Sequence, residues 1–147
     1  MGAYAHPSLL VNVMNIDAIN YPIVETFVPS SLYEGMPEIT NVQYDLWLLQ
    51  ITARFQNVDN PVYITFDGVR GFRVLDEGDL LEFWNPEIRK NGWLWLVKKG
   101  GWFDLESFRA GFVSGITNRY DEYLILGENE CVSVITDRQP VISTPNP

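Results

Sequence analysis

From Tyr21 onward, apolar and polar positions alternate in short runs separated by turn residues, the two-residue period of half-buried strands. Tyr21 to Val28 is β-rich and carries Pro22 and Pro29 at its ends, which suits an edge or first strand. Ser30 to Pro37, with Gly35, reads as a loop. Asn41 to Phe55 is the longest periodic segment. Val42, Tyr44, Leu46 and Leu48 alternate on one face, and then Leu49, Ile51, Ala53 and Phe55 take over the apolar phase. Such a slip predicts a bulge near Leu48-Leu49 or a strand buried on both faces. A helix competes for the same residues, because Leu46, Leu49 and Ala53 also meet helical spacing; β-branched and aromatic content favours the strand.

Val62, Ile64 and Phe66 alternate between Asn60-Pro61 and the turn pair Asp67-Gly68, and Gly71 to Leu75 follows. Residues 61–75 are therefore expected to form a hairpin or a sharply bent pair. Trp93, Trp95 and Val97 alternate with Leu94 and Leu96, which puts the two tryptophans on one face. Tyr123 to Leu126 and Cys131 to Thr136 flank Gly127-Glu128-Asn129-Glu130, a hairpin whose loop has two residues tolerant of positive φ.

Two short helices fit between the strands. Asp104 is a candidate cap for a helix over Leu105 to Phe112, with Phe103 and Phe108 placed as a hydrophobic staple. On that reading Phe108 is a buried anchor whose truncation costs about 3–5 kcal/mol. Gly78 to Trp84 reads as one or two helical turns opened by acids, and Pro86 stops it. The fold class expected is α+β: a mainly antiparallel β-sheet, partly curled or a sandwich, with one or two short helices. Residues 1–138 read as a single globular domain. Residues 139–147, with three prolines, read as an extended or disordered tail.

Charge and composition then narrow the function. Nineteen acids against ten bases give a net charge of −9, whose field opposes nucleic acid and anionic lipid and favours encounter with basic proteins. One cysteine (Cys131) excludes a disulfide framework and a four-thiolate zinc site, and one histidine (His6) leaves little for triad or metal chemistry. Met1-Gly2 invites myristoylation, but His6 stands where that motif wants Ser or Thr. The first residues lack the basic start of a secretory signal, and Leu9 to Met14 is interrupted by Asn12. No apolar run approaches the roughly 20 residues of a membrane span. A reducing cytoplasm is the expected compartment.

Asp76-Glu77-Gly78-Asp79-Leu80-Leu81-Glu82 is the densest acidic stretch. It lacks the ligand register of a calcium loop, so it reads as a helix start or as an acidic face for a partner. Asp67 to Arg73 holds two glycines and two arginines, but not in phosphate-loop spacing. Arg70 and Arg73 are placed to pair with Asp76 or Glu77. Trp84, Trp93, Trp95 and Trp102 fill a small core, anchor an interface or line a pocket. Cys131 reads as a small buried hydrophobe.

The run from Gly68 to Trp84, followed by Gly100-Gly101-Trp102, Glu122 to Ile125 and Glu130 to Val134, resembles small bacterial proteins. Those proteins in turn resemble immunity proteins of contact-delivered toxins in size and character, over roughly residues 62–136 of this chain. The resemblance implies an inhibitor and supplies no functional residues. The expected role is a non-enzymatic, immunity- or antitoxin-like protein that occludes the active site of a basic toxin, such as a nuclease. Its expected contacts are Asp76, Glu77, Asp79, Glu82, Glu128 and Glu130, with Trp84 or Trp102 as aromatic anchor. No cofactor and no metal are expected. The alternative is a small-molecule-binding β domain with an aromatic-lined pocket.

Overall fold

A computed structural model describes residues 22–27, 33–84, 88 and 92–145. The readings of the N-terminus, His6 and Leu9 to Met14 included, lie outside these residues, as do part of the 30–37 loop and Pro86. Among the described residues, nine strands form two open antiparallel sheets. β1 (Ile23–Thr26), β6 (Leu94–Lys99), β7 (Asp121–Leu126), β8 (Glu130–Thr136) and β5 (Val69–Asp76) lie in that order in a five-stranded sheet. β2 (Glu38–Tyr44), β3 (Leu48–Arg54), β4 (Val62–Asp67) and β9 (Val141–Ser143) make the four-stranded one. Among the described residues, an α-helix, α1 (Trp102–Ser107), and 3₁₀ turns at Glu77–Asp79, Leu81–Phe83 and Val113–Ile116 join the strands. No helix among the described residues is long and apolar enough to cross a membrane.

The alternating residues of β3 (Leu49, Ile51, Ala53) and β4 (Val62, Ile64, Phe66) pack against Leu94, Tyr123, Ile125, Val132 and Val134 of the five-stranded sheet. Phe66 and Tyr123 meet across this layer with ring centroids 5.7 Å apart. The other face of the five-stranded sheet carries Trp95, Val97, Leu124, Leu126 and Cys131, covered by Leu80 and Phe83 of the 3₁₀ segment and by Ile88. β7 and β8 are thus buried on both faces, which accounts for their nearly continuous apolar runs.

Several expectations change. The phase slip at Leu48-Leu49 is neither bulge nor helix but the turn of a β2–β3 hairpin. Asp45 makes it: its Oδ1 accepts from the Trp47 N–H at 2.9 Å and the Leu48 N–H at 2.8 Å, while Leu46 sits at φ 77°. Residues 61–75 are the bent pair and not the hairpin, since β4 and β5 belong to different sheets. Gly68 turns that corner at φ 67°, where a Cβ would collide with the Asp137 carboxylate.

Trp93 and Trp95 do not share a face. Trp93 precedes β6 and joins the core between the sheets, whereas Trp95 joins the outer one. The 127–130 loop uses no positive φ; Asn129 instead accepts from the Ile39 N–H at 3.1 Å and donates to its carbonyl at 3.0 Å, clipping β8 to β2. Within the stretch expected to be extended or disordered, Val141–Ser143 pairs with Tyr63–Thr65 as an edge strand.

The helix begins at Trp102, so Asp104 lies inside its first turn and accepts from the Gly100 N–H at 2.7 Å. No Phe103–Phe108 staple forms. Phe103 packs on Phe112 with centroids 5.5 Å apart, and Phe108 is 88% exposed. Phe108→Ala should therefore change stability by no more than about 0.5 kcal/mol, whereas Phe66→Ala should cost about 3–5 kcal/mol. Urea unfolding of the two variants measures the contrast, and equal losses would contradict this packing.

Candidate functional site

The end of β5 and the β7–β8 loop gather carboxylates by strand register. Asp76 lies directly opposite Glu130 across the β5–β8 pair. The Glu77 N–H donates to the Asn129 carbonyl at 3.2 Å, which brings Glu77 beside the loop that carries Glu128. Asp76 also opens the first 3₁₀ turn, its Oδ1 accepting from the Gly78 N–H at 2.9 Å. Asp79 is exposed in that turn. Trp84 is half-buried, packs on the outer core and donates from Nε1 to the Glu77 carbonyl at 2.7 Å, anchoring the turn. The Glu128 N–H donates to the Pro37 carbonyl at 2.8 Å. Of the eight residues expected from the sequence, Asp76, Glu77, Asp79, Trp84, Glu128 and Glu130 therefore share one end of the molecule.

Trp102 and Glu82 serve a second cluster. Gly71 on β5 lets the Trp102 ring approach, because a Cβ there would lie 3.3 Å from its Cη2. That is five residues from Asp76, about 16 Å along the strand. The Arg73 guanidinium lies 5.5 Å from the Trp102 ring centroid, and Trp102 Nε1 donates to Glu106 at 3.2 Å. Neither arginine pairs with Asp76 or Glu77 as expected: Arg73 sits in the field of Glu122, Glu82 and Glu106, and Arg70 donates to Ser114.

Glu122, which the sequence reading passed over, holds this cluster together. It lies on β7, 2% exposed, and caps α1 from outside the helix. Its carboxylate accepts from the Trp102 N–H at 3.1 Å and the Phe103 N–H at 2.5 Å, both otherwise unpaired at the helix start. Gly101 permits the approach, since a Cβ would collide with the carboxylate and with Val97. A signal was present: Glu122 is in phase with Leu124 and Leu126, and a carboxylate on an apolar face must find partners. A cleft of about 150 Å³ beside it, walled in part by Lys98, Lys99 and Tyr120, is smaller than an ordinary small-molecule pocket.

Burial pushes the Glu122 carboxyl above its ordinary value of 4.5, against the pull of the two N–H groups and Arg73. Burial likewise pushes the Cys131 thiol up to about 11, with Glu77, Glu130 and Asp76 adding to the rise, so the thiolate is scarce at neutral pH. Trp93 stacks edge-on against Phe55 at 5.1 Å, filling core space. Among the described residues, no three carboxylate, thiol or imidazole groups converge as a metal site requires. Trp47, 81% exposed on the β2–β3 turn, is the aromatic side chain most open to solvent among those described that the sequence reading had not singled out.

Comparison with family models, curated protein sequences and solved structures finds no match for this chain.

A carboxyl whose folded pKa is raised contributes stability that is fully present below its unfolded value and lost as pH rises through the folded one. The Glu122 contribution should therefore be present below about pH 4.5 and decline above it. Urea midpoints of the wild type and Glu122→Gln across pH 4 to 8 should change their separation in that window (roughly, as linkage requires). Parallel profiles would show that Glu122 titrates as an ordinary exposed carboxyl.

Proposed function

We propose that the chain is a non-enzymatic binding protein that captures a basic protein with its carboxylate-rich end, as an immunity- or antitoxin-like inhibitor does. The observation that carries this reading is the register that sets Asp76 opposite Glu130 and Glu77 beside the Glu128 loop. Among the described residues, ion pairs join Lys98 to Glu25, Arg109 to Glu106, and Arg138 to Asp67 and Asp137, and none involves those four acids. No basic side chain among the described residues competes with a partner for their charge. The Asp76 carboxylate is held by the Gly78 N–H, so ordering it on binding costs little. The net charge of −9 supplies the long-range attraction to a cationic surface.

Exposed rim charges act mainly on association rate and its salt dependence. The test is capture of a basic protein from the source cells, followed by kinetics with the purified pair at about 50 and 300 mM salt, which brackets weak and strong screening. The wild type should associate at least about ten-fold faster at low salt, and a variant with Asp76→Lys and Glu130→Lys should lose most of that gain. The captured protein's toxicity should be blocked by the wild type and not by the variant. Salt-insensitive association, or equal capture by both chains, would contradict the proposal.

A further inference from the structure

At the far end of β5 from these acids, the pairing with β8 shifts register: Val69 faces Thr136 and Gly71 faces Ile135, leaving Arg70 between them as an extra residue. A bulge of this kind re-aims a side chain, and such features concentrate beside functional sites. The bulge turns Arg70 out of the sheet alternation. Its Nε donates to Ser114 Oγ at 3.3 Å, and its guanidinium lies 5.2 Å from the Tyr120 ring centroid. Ser114 is 6% exposed, a buried hydroxyl that accepts from Arg70 and keeps its own proton to donate.

Arg109 faces the same cleft from the turn after α1. Its guanidinium lies 5.7 Å from the Phe112 ring centroid, and its Nε donates to Glu106 at 2.5 Å. Among the described residues, no hydrogen bond occupies the terminal nitrogens of Arg70 or Arg109. The cleft they share has a volume of about 390 Å³ and is lined by Val69, Phe112 and Val113 besides the two arginines and Ser114. The cleft is an open groove, with room for a small ligand that stays partly in solvent.

We propose that this cleft binds a small organic oxyanion carried on an apolar body. Two guanidinium groups stacked on aromatic rings and a hydroxyl donor form a fork suited to carboxylate or phosphate oxygens. Val69, Phe112 and Val113, the smaller part of the lining, contact the remainder of the ligand. In a chain with nineteen acids and ten bases, two arginines lining one cleft with a buried hydroxyl is not what a solubilising surface requires.

The test is a titration of the ¹⁵N-labelled full chain at constant ionic strength with phenyl phosphate, benzoate, inorganic phosphate and neutral benzyl alcohol. Saturable shifts are expected at the amides of Val69 to Gly71 and Gly111 to Gly115 with phenyl phosphate, benzoate or both. Which of the two binds more tightly identifies the anion. Benzyl alcohol should give none, and inorganic phosphate should bind more weakly than phenyl phosphate. Arg70→Gln and Arg109→Gln, each checked for an unchanged fold by its spectrum, should each weaken binding about ten-fold, as loss of a charge-assisted pair implies. Arg109 is largely exposed, so its variant tests the site even if the bulge tolerates no change. Absence of saturable shifts at these amides, or wild-type affinity in both variants, would overturn the site. Inorganic phosphate binding as tightly as phenyl phosphate would overturn the apolar part of it.

Discussion

β7 and β8 are neighbouring strands with both faces out of water, and each face has to be covered by something else in the chain. On one side the four-stranded sheet supplies Leu49, Ile51, Ile64 and Phe66. On the other, the 3₁₀ turns with Leu80 and Phe83 cover Trp95, Leu124, Leu126 and Cys131, and α1 closes over Glu122. Burial of this apolar surface at about 25 cal/mol per Å² dominates what holds the layers together. The one carboxylate on the covered outer face of these strands, among the described residues, is Glu122, and the helix start supplies it with two N–H partners. The cap and the sheet therefore depend on one another: without α1 a carboxylate is buried unpaired, and without Glu122 the helix has no cap.

Much of the strand pattern was legible in the residues, because period-two burial leaves a direct trace. β4, β6, β7 and β8 coincide with the alternations at Val62-Ile64-Phe66, Trp95-Val97, Tyr123 to Leu126 and Cys131 to Thr136. The 3₁₀ turns fall where Gly78 to Trp84 suggested helical turns. What was not legible has specific causes. Leu46 takes a left-handed conformation that turn rules reserve for glycine or asparagine, so Asp45 was the one signal for the β2–β3 turn, set within an apolar run. The cap of α1 comes from a residue twenty positions on, beyond the reach of a local cap rule. Trp93 departs from the strand period one residue before β6 begins, which sends it to the core that Trp95 does not share.

Charge follows the same architecture. The covered layers exclude most ionisable side chains, so acids and bases collect at the strand ends and turns. Asp76, Glu77, Glu128 and Glu130 fall at one end of the β5–β8 pair, while Arg70 and Arg138 fall at the other, about 20 Å away along the strand. The candidate acidic contacts were recognisable as residue types, but only the register shows which of them meet. Asp76 and Glu130 are 54 positions apart in sequence and adjacent in the sheet. Trp102 and Glu82, close to the acids in sequence or kind, belong instead to the Arg73–Glu122 cluster that secures the helix.

Native-state hydrogen exchange reads the dependence on β7 and β8 most directly. Amides exchange through local openings unless their element opens only when the whole domain unfolds. The slowest amides should be those of Tyr123 to Ile125 and Val132 to Ile135, with opening free energies equal to the global unfolding value. Amides of Trp102 and Phe103 should exchange sooner, through opening of the cap, and more readily still in Glu122→Gln. If the β2–β3 hairpin were protected longer than β7 and β8, the doubly covered strand pair would not be what the rest of the structure rests on.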